Sequence, residues 1–279
     1  MNTIEKALNN LNPDDKLSRD EPIFSGNETK QTLELPWDVM SNKGMLTPEK
    51  GRSQIAEEMR AIKRPLLRFS SNSAGLQNDH KNIIMVTSSV PGEGKSFSSI
   101  NLAVSIAMEM DKTALLIDAD VAKPSIGKYL GYNHRKGLVD YLMGDEPDLS
   151  ELFLKTDLPK LTILPAGKQH HYSTELLASE NMRILLDELA TRYHDRIVIF
   201  DSPPVLATSE AQVLANQMGQ VVVVVEAVKT TQLILKEALE KISGANIAGL
   251  VLNKSRVKAG GSYYGYGYGY GYGHKPEDE

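Results

Sequence analysis

Ile83-Ile84-Met85-Val86-Thr87-Ser88-Ser89-Val90-Pro91-Gly92-Glu93-Gly94-Lys95-Ser96 decides how the rest of this 279-residue sequence is read. The aliphatic run 83–87 predicts a strand, the Pro-Gly-Glu-Gly segment a loop, and Ser96–Met110 a helix. Strand, glycine loop and helix in that order are the context of a P-loop, whose backbone N–H groups converge on phosphate at the positive end of the helix. Gly92 and Gly94 free the loop to turn its amides inward, so the stretch Pro91, Gly92, Glu93, Gly94, Lys95, Ser96 and Phe97 is read as nucleotide-binding. Lys95 would reach the β- and γ-phosphates, and the Ser96 hydroxyl would face Mg²⁺. Ser89 stands where the consensus has its first glycine, which a serine tolerates if its φ stays negative. The bland alternative is a glycine turn beside a solvated lysine.

Outward from this stretch, residues 82–253 alternate strongly. Strands are expected at Ile83–Thr87, Ala114–Ile117, Leu161–Leu164, Ile197–Phe200, Val221–Val225 and Ala248–Leu252. Most are unbroken aliphatic runs, so both faces should be buried, as in a parallel sheet. Helices are expected at Ser96–Met110, Thr174–Tyr193, Ser209–Gln217 and Thr230–Ser243, with Ser209 and Gln212 spaced as a capping box. The alternation predicts an α/β fold with a doubly wound, mostly parallel sheet that binds its ligand at the carboxyl ends of the strands. Three acids stand at such ends: Asp118 and Asp120 after the second strand and Asp201 after the fourth. There they can hold Mg²⁺ directly or through water, whereas each alone could be a helix cap or a turn residue. Beside the glycine loop, the three make a nucleoside triphosphate the expected ligand.

Composition narrows the rest. The net charge of −5 argues against a surface built for nucleic acid, and 41% apolar residues supply a core. Without cysteine there are no disulfides and no thiolate ligands. The longest aliphatic run, Val221–Val225, is far short of the about 20 residues of a membrane-spanning helix. A soluble, cytoplasmic protein is expected, with any membrane role supplied by a partner.

Residues 1–46 read as a flexible segment, with an amphipathic stretch at Thr3–Leu11 and the sole tryptophan, Trp37, in local packing or as a docking anchor. A helix over 47–63 is expected next, with Thr47 as N-cap and Pro48 at its first position. Ile55, Met59, Ile62 and Leu66 form its apolar stripe, and Pro65 ends or bends it. Glu57, Glu58, Arg60, Lys63 and Arg64 lie on the other surface, so that 47–258 forms the folded domain. Residues 259–279 are a disordered tail in which Tyr263, Tyr264, Tyr266, Tyr268, Tyr270 and Tyr272 account for six of the 11 tyrosines. Glycine between them carries a high ordering entropy, and there is no aliphatic residue to bury.

Taken together, Ser89–Ser96, Leu115–Pro124, Ile197–Pro204 and the Tyr263–Tyr272 cluster resemble the bacterial tyrosine kinases of exopolysaccharide biosynthesis, the chain-length-determinant-associated autokinases. The segments 137–142, 164–167 and 175–177 are similar to that family too, as is Glu57–Arg64 to its interface helix. The resemblance implies a P-loop NTPase of the deviant-Walker type. It implies ATP-dependent autophosphorylation of the six tail tyrosines, with Lys95, Asp118, Asp120 and Asp201 catalytic. Ser96, Asp120 and Asp201 would organise Mg²⁺, Asp118 would accept or orient the tyrosine proton, and Asn253 would read adenine. Glu57, Arg60, Lys63 and Arg64 would form a homo-oligomer interface for phosphorylation in trans. A membrane chain-length-determinant or polysaccharide-export protein would activate the chain and recruit it to the inner membrane. Two residues depart from the pattern. Ala122 stands where many members have Arg, with Lys123 the nearest base, and Lys63 replaces an Arg, without its bidentate fork.

The fold alone also suits ATPases that position division or partition machinery, and a scaffold locked by nucleotide. The tail weighs against both, and Ser88-Ser89-Val90 lacks the early lysine of those ATPases. His170-His171 reads as a solvated loop over a metal site, and Tyr129, Tyr132 and Tyr141 as packing residues over additional phosphosites.

Overall fold

Unbroken aliphatic runs place every second side chain of a strand on the opposite face, and two layers of helix divide them. The computed structural model describes residues 32–71, 80–133, 135–193 and 195–255. Seven strands form one sheet in the order β3-β4-β2-β5-β1-β6-β7. They are β1 (Ile83–Ser88), β2 (Thr113–Asp118), β3 (Leu154–Lys155), β4 (Leu161–Leu164), β5 (Arg196–Asp201), β6 (Gln220–Glu226) and β7 (Ile247–Asn253). All neighbours pair in parallel except β3 with β4.

Ile84, Val86, Leu116, Ile199, Val222 and Val224 face one core, while Met85, Leu115, Ile117, Val198, Phe200 and Val223 face the other. Each such buried side chain contributes about 1.5–3 kcal/mol relative to exposure. The first core is covered by α1 (Trp37–Asn42), α2 (Gln54–Ser71) and α3 (Lys95–Ala107), and α4 (Ile126–Leu130) closes its edge. The second is covered by α5 (Leu138–Leu142), α7 (Glu180–Arg192), α8 (Ser209–Gln217) and α9 (Gln232–Lys241), with the short α6 (Ser173–Leu176) before α7. The chain crosses from β1 past β5 to β2, and returns to the other side of β1 for β6 and β7. That reversal opens a crevice at the carboxyl ends of β1, β2 and β5.

Several expectations are corrected. Residues 32–46 pack on the domain: Leu33 bridges Thr156, and Leu35, Met40, Met45 and Leu46 are buried. Trp37 belongs to this local packing, donating Nε1–H to Asp157 Oδ2 at 2.7 Å. These apolar residues follow neither a helical nor a strand period, which hid them. Residues 1–31 lie outside the described residues. The expected helix from Thr47 begins as a 3₁₀ turn at Pro48–Lys50, without a Thr47 side-chain cap, and α2 starts only at Gln54. Pro65 does not end it. Leu66 is buried, and Gln220 Nε2 donates to Leu66 O at 3.2 Å and to Lys81 O at 3.0 Å, holding the last turns on the sheet. The 174–193 helix divides at Ser179, whose hydroxyl accepts from Met182 N. The cap of α8 is Thr208, not Ser209, and Gln212 donates to Val205 O instead of closing a box. The edge strand β7 is only half-buried on one side and is exposed on the other, with Leu250 and Leu252 open to solvent.

Lys63 also leaves the surface assigned to it. Its ammonium is buried, donates to Ser105 O at 2.6 Å and pairs with Glu109 at 2.5 Å, tying α2 to the end of α3. Arg64, one residue on, is exposed. Lys63→Ala is expected to lower unfolding free energy by about 1–3 kcal/mol, because a buried carbonyl loses its charged donor. Arg64→Ala should change it by no more than about 0.5 kcal/mol, and urea denaturation of both variants reads the difference.

Candidate active site

The register of β2 on β5 sets Asp118 directly beside Asp201. The helix after β1 then delivers Lys95 from above. Its Nζ lies 2.6 Å from Asp120 Oδ2, 3.8 Å from Asp201 Oδ1 and 3.4 Å from Ser96 Oγ. One ammonium thus pairs with two carboxylates and feels the charge of a third, Asp118, in a space where all four residues are buried. Burial opposes the charge of Lys95, but Asp201 and Asp120 more than offset it and hold the amine above its usual range. Burial and the Asp201 charge push the Asp118 carboxyl up to about 8, against the Ile126 amide and Lys95. Burial likewise raises Asp201, opposed by Lys95 and by the hydroxyls of Ser96 and Ser99.

Asp118 Oδ2 accepts from Ser125 N and Ile126 N, both at 3.1 Å, at the start of α4. Asp118 Oδ1 and Asp201 Oδ2 are buried with no hydrogen-bond partner, an unmet acceptor capacity that suits a cation. Among the described residues no cluster of three or more His, Asp or Glu is arranged to hold a metal alone. Mg²⁺ in nucleotide sites takes one or two protein carboxylates plus phosphate and water, so Asp201, with Asp120 and Ser96 close by around Lys95, fits that role.

The loop itself is braced from outside. Gly92 and Gly94 have φ of 91° and 103°, values that favour glycine, and a Cβ on Gly94 would overlap the Asn253 amide. Ser89 keeps a negative φ, and its hydroxyl is buried. Glu93 turns its carboxylate inward, away from any ligand, accepting from Val90 N at 2.8 Å, Glu226 N at 3.3 Å and the Thr230 hydroxyl. Asn253 Nδ2 donates to Glu93 O at 2.8 Å, and Lys254 Nζ to Gly92 O at 2.7 Å. Pro91 and Gly92 are exposed, while Phe97 packs its ring against the first core.

Lys95, Ser96, Asp118, Asp120 and Asp201 therefore converge. Glu57, Arg60, Lys63 and Arg64 sit apart on α2; Arg60 bonds Glu57 and Gly51 O. The six tail tyrosines lie outside the described residues. Sequence reasoning missed Ser99, whose hydroxyl is 3.2 Å from Asp201 Oδ1, and Ser125, whose hydroxyl bonds Ser96 Oγ at 2.7 Å. Neither belongs to the glycine loop or to an acidic strand end, so no local pattern marked them.

A carboxyl raised on folding stabilises fully below its unfolded pKa, and that contribution is lost as pH rises through the folded value. The ligand-free protein should therefore lose stability between about pH 4 and pH 8 through Asp118. Melting temperatures across that range should fall less in Asp118→Asn, so its advantage over wild type widens with pH. Parallel curves would remove the assignment.

Comparison with known proteins agrees with this geometry. A family model described as an AAA domain matches residues 81–243. The chain is 30% identical over 214 residues to the tyrosine-protein kinase YwqD of Bacillus subtilis, covering 76% of this chain and 86% of that one. It is 32% identical over 206 residues to the tyrosine-protein kinase ptk of Acinetobacter johnsonii, covering 73% of this chain. Several such relatives are longer proteins, of which it spans 25–27%. The solved kinase domain of the Escherichia coli tyrosine kinase ETK superposes with a TM-score of 0.67 at 28% identity, covering 88% of this chain and 89% of that domain. The chain belongs to the AAA-domain P-loop proteins and, among them, to the bacterial tyrosine-protein kinase family.

Proposed function

We propose that this chain is an ATP-dependent tyrosine autokinase that phosphorylates Tyr263, Tyr264, Tyr266, Tyr268, Tyr270 and Tyr272 of a neighbouring copy. The observation that carries the reading is the single Lys95 ammonium set among Asp118, Asp120 and Asp201 at the sheet's carboxyl edge. In the reaction a tyrosine oxygen forms a bond to the γ-phosphorus as the bond from that phosphorus to the ADP oxygen breaks. The phenolic proton passes to Asp118, whose carboxyl, held up to about 8 without ligand, would be ionised by the positive charge of a cation bound beside it. Lys95 leaves Asp120 for the phosphate charge, which suits a transfer that depends on positioning and electrostatics more than on covalent chemistry. Mg²⁺, held by Ser96, Asp120 and Asp201, would supply electrostatic stabilisation of the phosphate oxygens. Asn253 stands at the end of β7, where its remaining Oδ1 can accept from the adenine amino group.

Action in trans calls for an oligomer, with exposed Glu57 and Arg64 and half-exposed Arg60 of α2 at the contact. A membrane-bound chain-length-determinant or export protein would recruit and activate it, and tail phosphorylation would regulate polysaccharide polymerisation. No helix among the described residues is long and apolar enough to cross a membrane, so recruitment by a partner is consistent with the fold.

Incubation with ATP and Mg²⁺, read by anti-phosphotyrosine blot, should give signal on wild type and none on Lys95→Met or on a chain ended at residue 262. Nucleotide hydrolysis without phosphotyrosine, with or without a membrane partner, would favour a positioning ATPase. Arg60→Ala with Arg64→Ala should reduce the oligomer mass seen by light scattering; an unchanged mass would remove α2 from the interface.

A further inference from the structure

Asp118 is also the floor of a cleft of about 190 Å³ that lies between α4 and the loop after β4. Tyr132, Gly167 and Gln169 line it as well, and so do Lys128 and Arg135, whose exposure sets them on its solvent side. Both cations are exposed, and neither has a carboxylate partner among the described residues. An unpaired Arg and Lys above an acidic floor present two zones of opposite charge within one cleft. The floor suits a neutral phenol whose proton passes to the Asp118 carboxylate acting as a base. The rim suits an anion with several acceptor oxygens, which guanidinium and ammonium groups bind by charge-assisted hydrogen bonds.

The tail offers both groups at a fixed spacing. Tyr264, Tyr266, Tyr268, Tyr270 and Tyr272 alternate with glycine. In an extended backbone they would form one row of side chains, with neighbours about 7 Å apart. When one tyrosine enters the cleft, its neighbours fall at the rim. An unmodified phenol gives Lys128 and Arg135 nothing to pair with, whereas a phosphotyrosine carries a charge of about −1.5 to −2. Without a basic rim, each phosphate added would be repelled by Asp118, Asp120 and Asp201 and would drive the tail from the site.

We propose that Lys128 and Arg135 form a phosphotyrosine subsite, which holds an already phosphorylated tail so that the next tyrosine is presented to Asp118. The inference rests on the autokinase reading and adds to it a preference for a primed, partly phosphorylated substrate. Each further transfer repeats the same balance, one ATP yielding ADP and one phosphotyrosine, with the phenolic proton passing to Asp118.

The test uses the full chain, treated with phosphatase, and two fluorescent peptides spanning residues 262–274, one unmodified and one phosphorylated at Tyr268. Anisotropy should show the phosphorylated peptide binding about tenfold tighter, the worth of one charge-assisted hydrogen bond. Lys128→Ala with Arg135→Ala should erase that difference, while Lys236→Ala with Lys241→Ala on α9 should keep it. Equal binding of the two peptides by wild type, or discrimination that survives in the first variant or vanishes in the second, overturns the proposal. Intact-mass time courses with ATP supply a second readout. The ratio of second- to first-phosphate rate should fall about tenfold in the rim variant, whereas damage to the fold would slow both steps together. A wild type that gains no phosphate speaks against the autokinase reading. A wild type that gains several, with an unchanged ratio in the variant, overturns the subsite alone.

Discussion

Three carboxylates and one ammonium share a buried space at the top of the sheet, and charges removed from water must be balanced locally or neutralised. The balance here is incomplete by design of the backbone: Asp118 and Asp201 are register partners on neighbouring strands, so they cannot separate. Lys95 compensates part of the charge, and the amides at the start of α4 and the hydroxyl of Ser99 compensate more. What is left is an acidic cluster with unmet acceptors at Asp118 Oδ1 and Asp201 Oδ2, a capacity that suits a cation. The rest of the fold can be understood as what holds that arrangement still. Two apolar layers clamp β1, β2 and β5 from both faces, and the residues that carry the chemistry ride on their ends.

The strand–loop–helix of β1 and α3 was legible in the sequence, because glycine, lysine and serine at fixed offsets after an aliphatic run have few other uses. The positions of Asp118, Asp120 and Asp201 were legible for a related reason. Each ends a run whose burial on both faces implied a parallel sheet, and the ends of such strands lie together. Residues 32–46 were hidden, since five irregularly spaced apolar residues fit no helical or strand template. Lys63 was misassigned because residue type was taken as a guide to its side of α2. A lysine whose amine can reach a carbonyl and a glutamate on the next helix can be buried at little net cost. Thr208 and Ser125 show the same limit: a hydroxyl's partner depends on the backbone that folds toward it, and one residue of offset changes the answer.

Membership in the tyrosine-kinase family and the details of this chain do not carry the same information. The family accounts for the glycine loop and the acidic strand ends. Lys63 as an internal tie, and the cations Lys128 and Arg135 beside Asp118, which have no carboxylate partner among the described residues, lie outside those two features.

The brace on the glycine loop has a mechanical corollary. Glu93, Asn253 and Lys254 join the phosphate cradle to the ends of β6 and β7, and β7 is an edge strand of the sheet, with one face open to water. Outer strands have fewer buried contacts and open locally at lower free energy than the centre of a sheet. The braced loop, set at the centre of the sheet, therefore borrows part of its rigidity from an edge strand. Fraying at that margin and slackness in the cradle would be one motion seen from two ends.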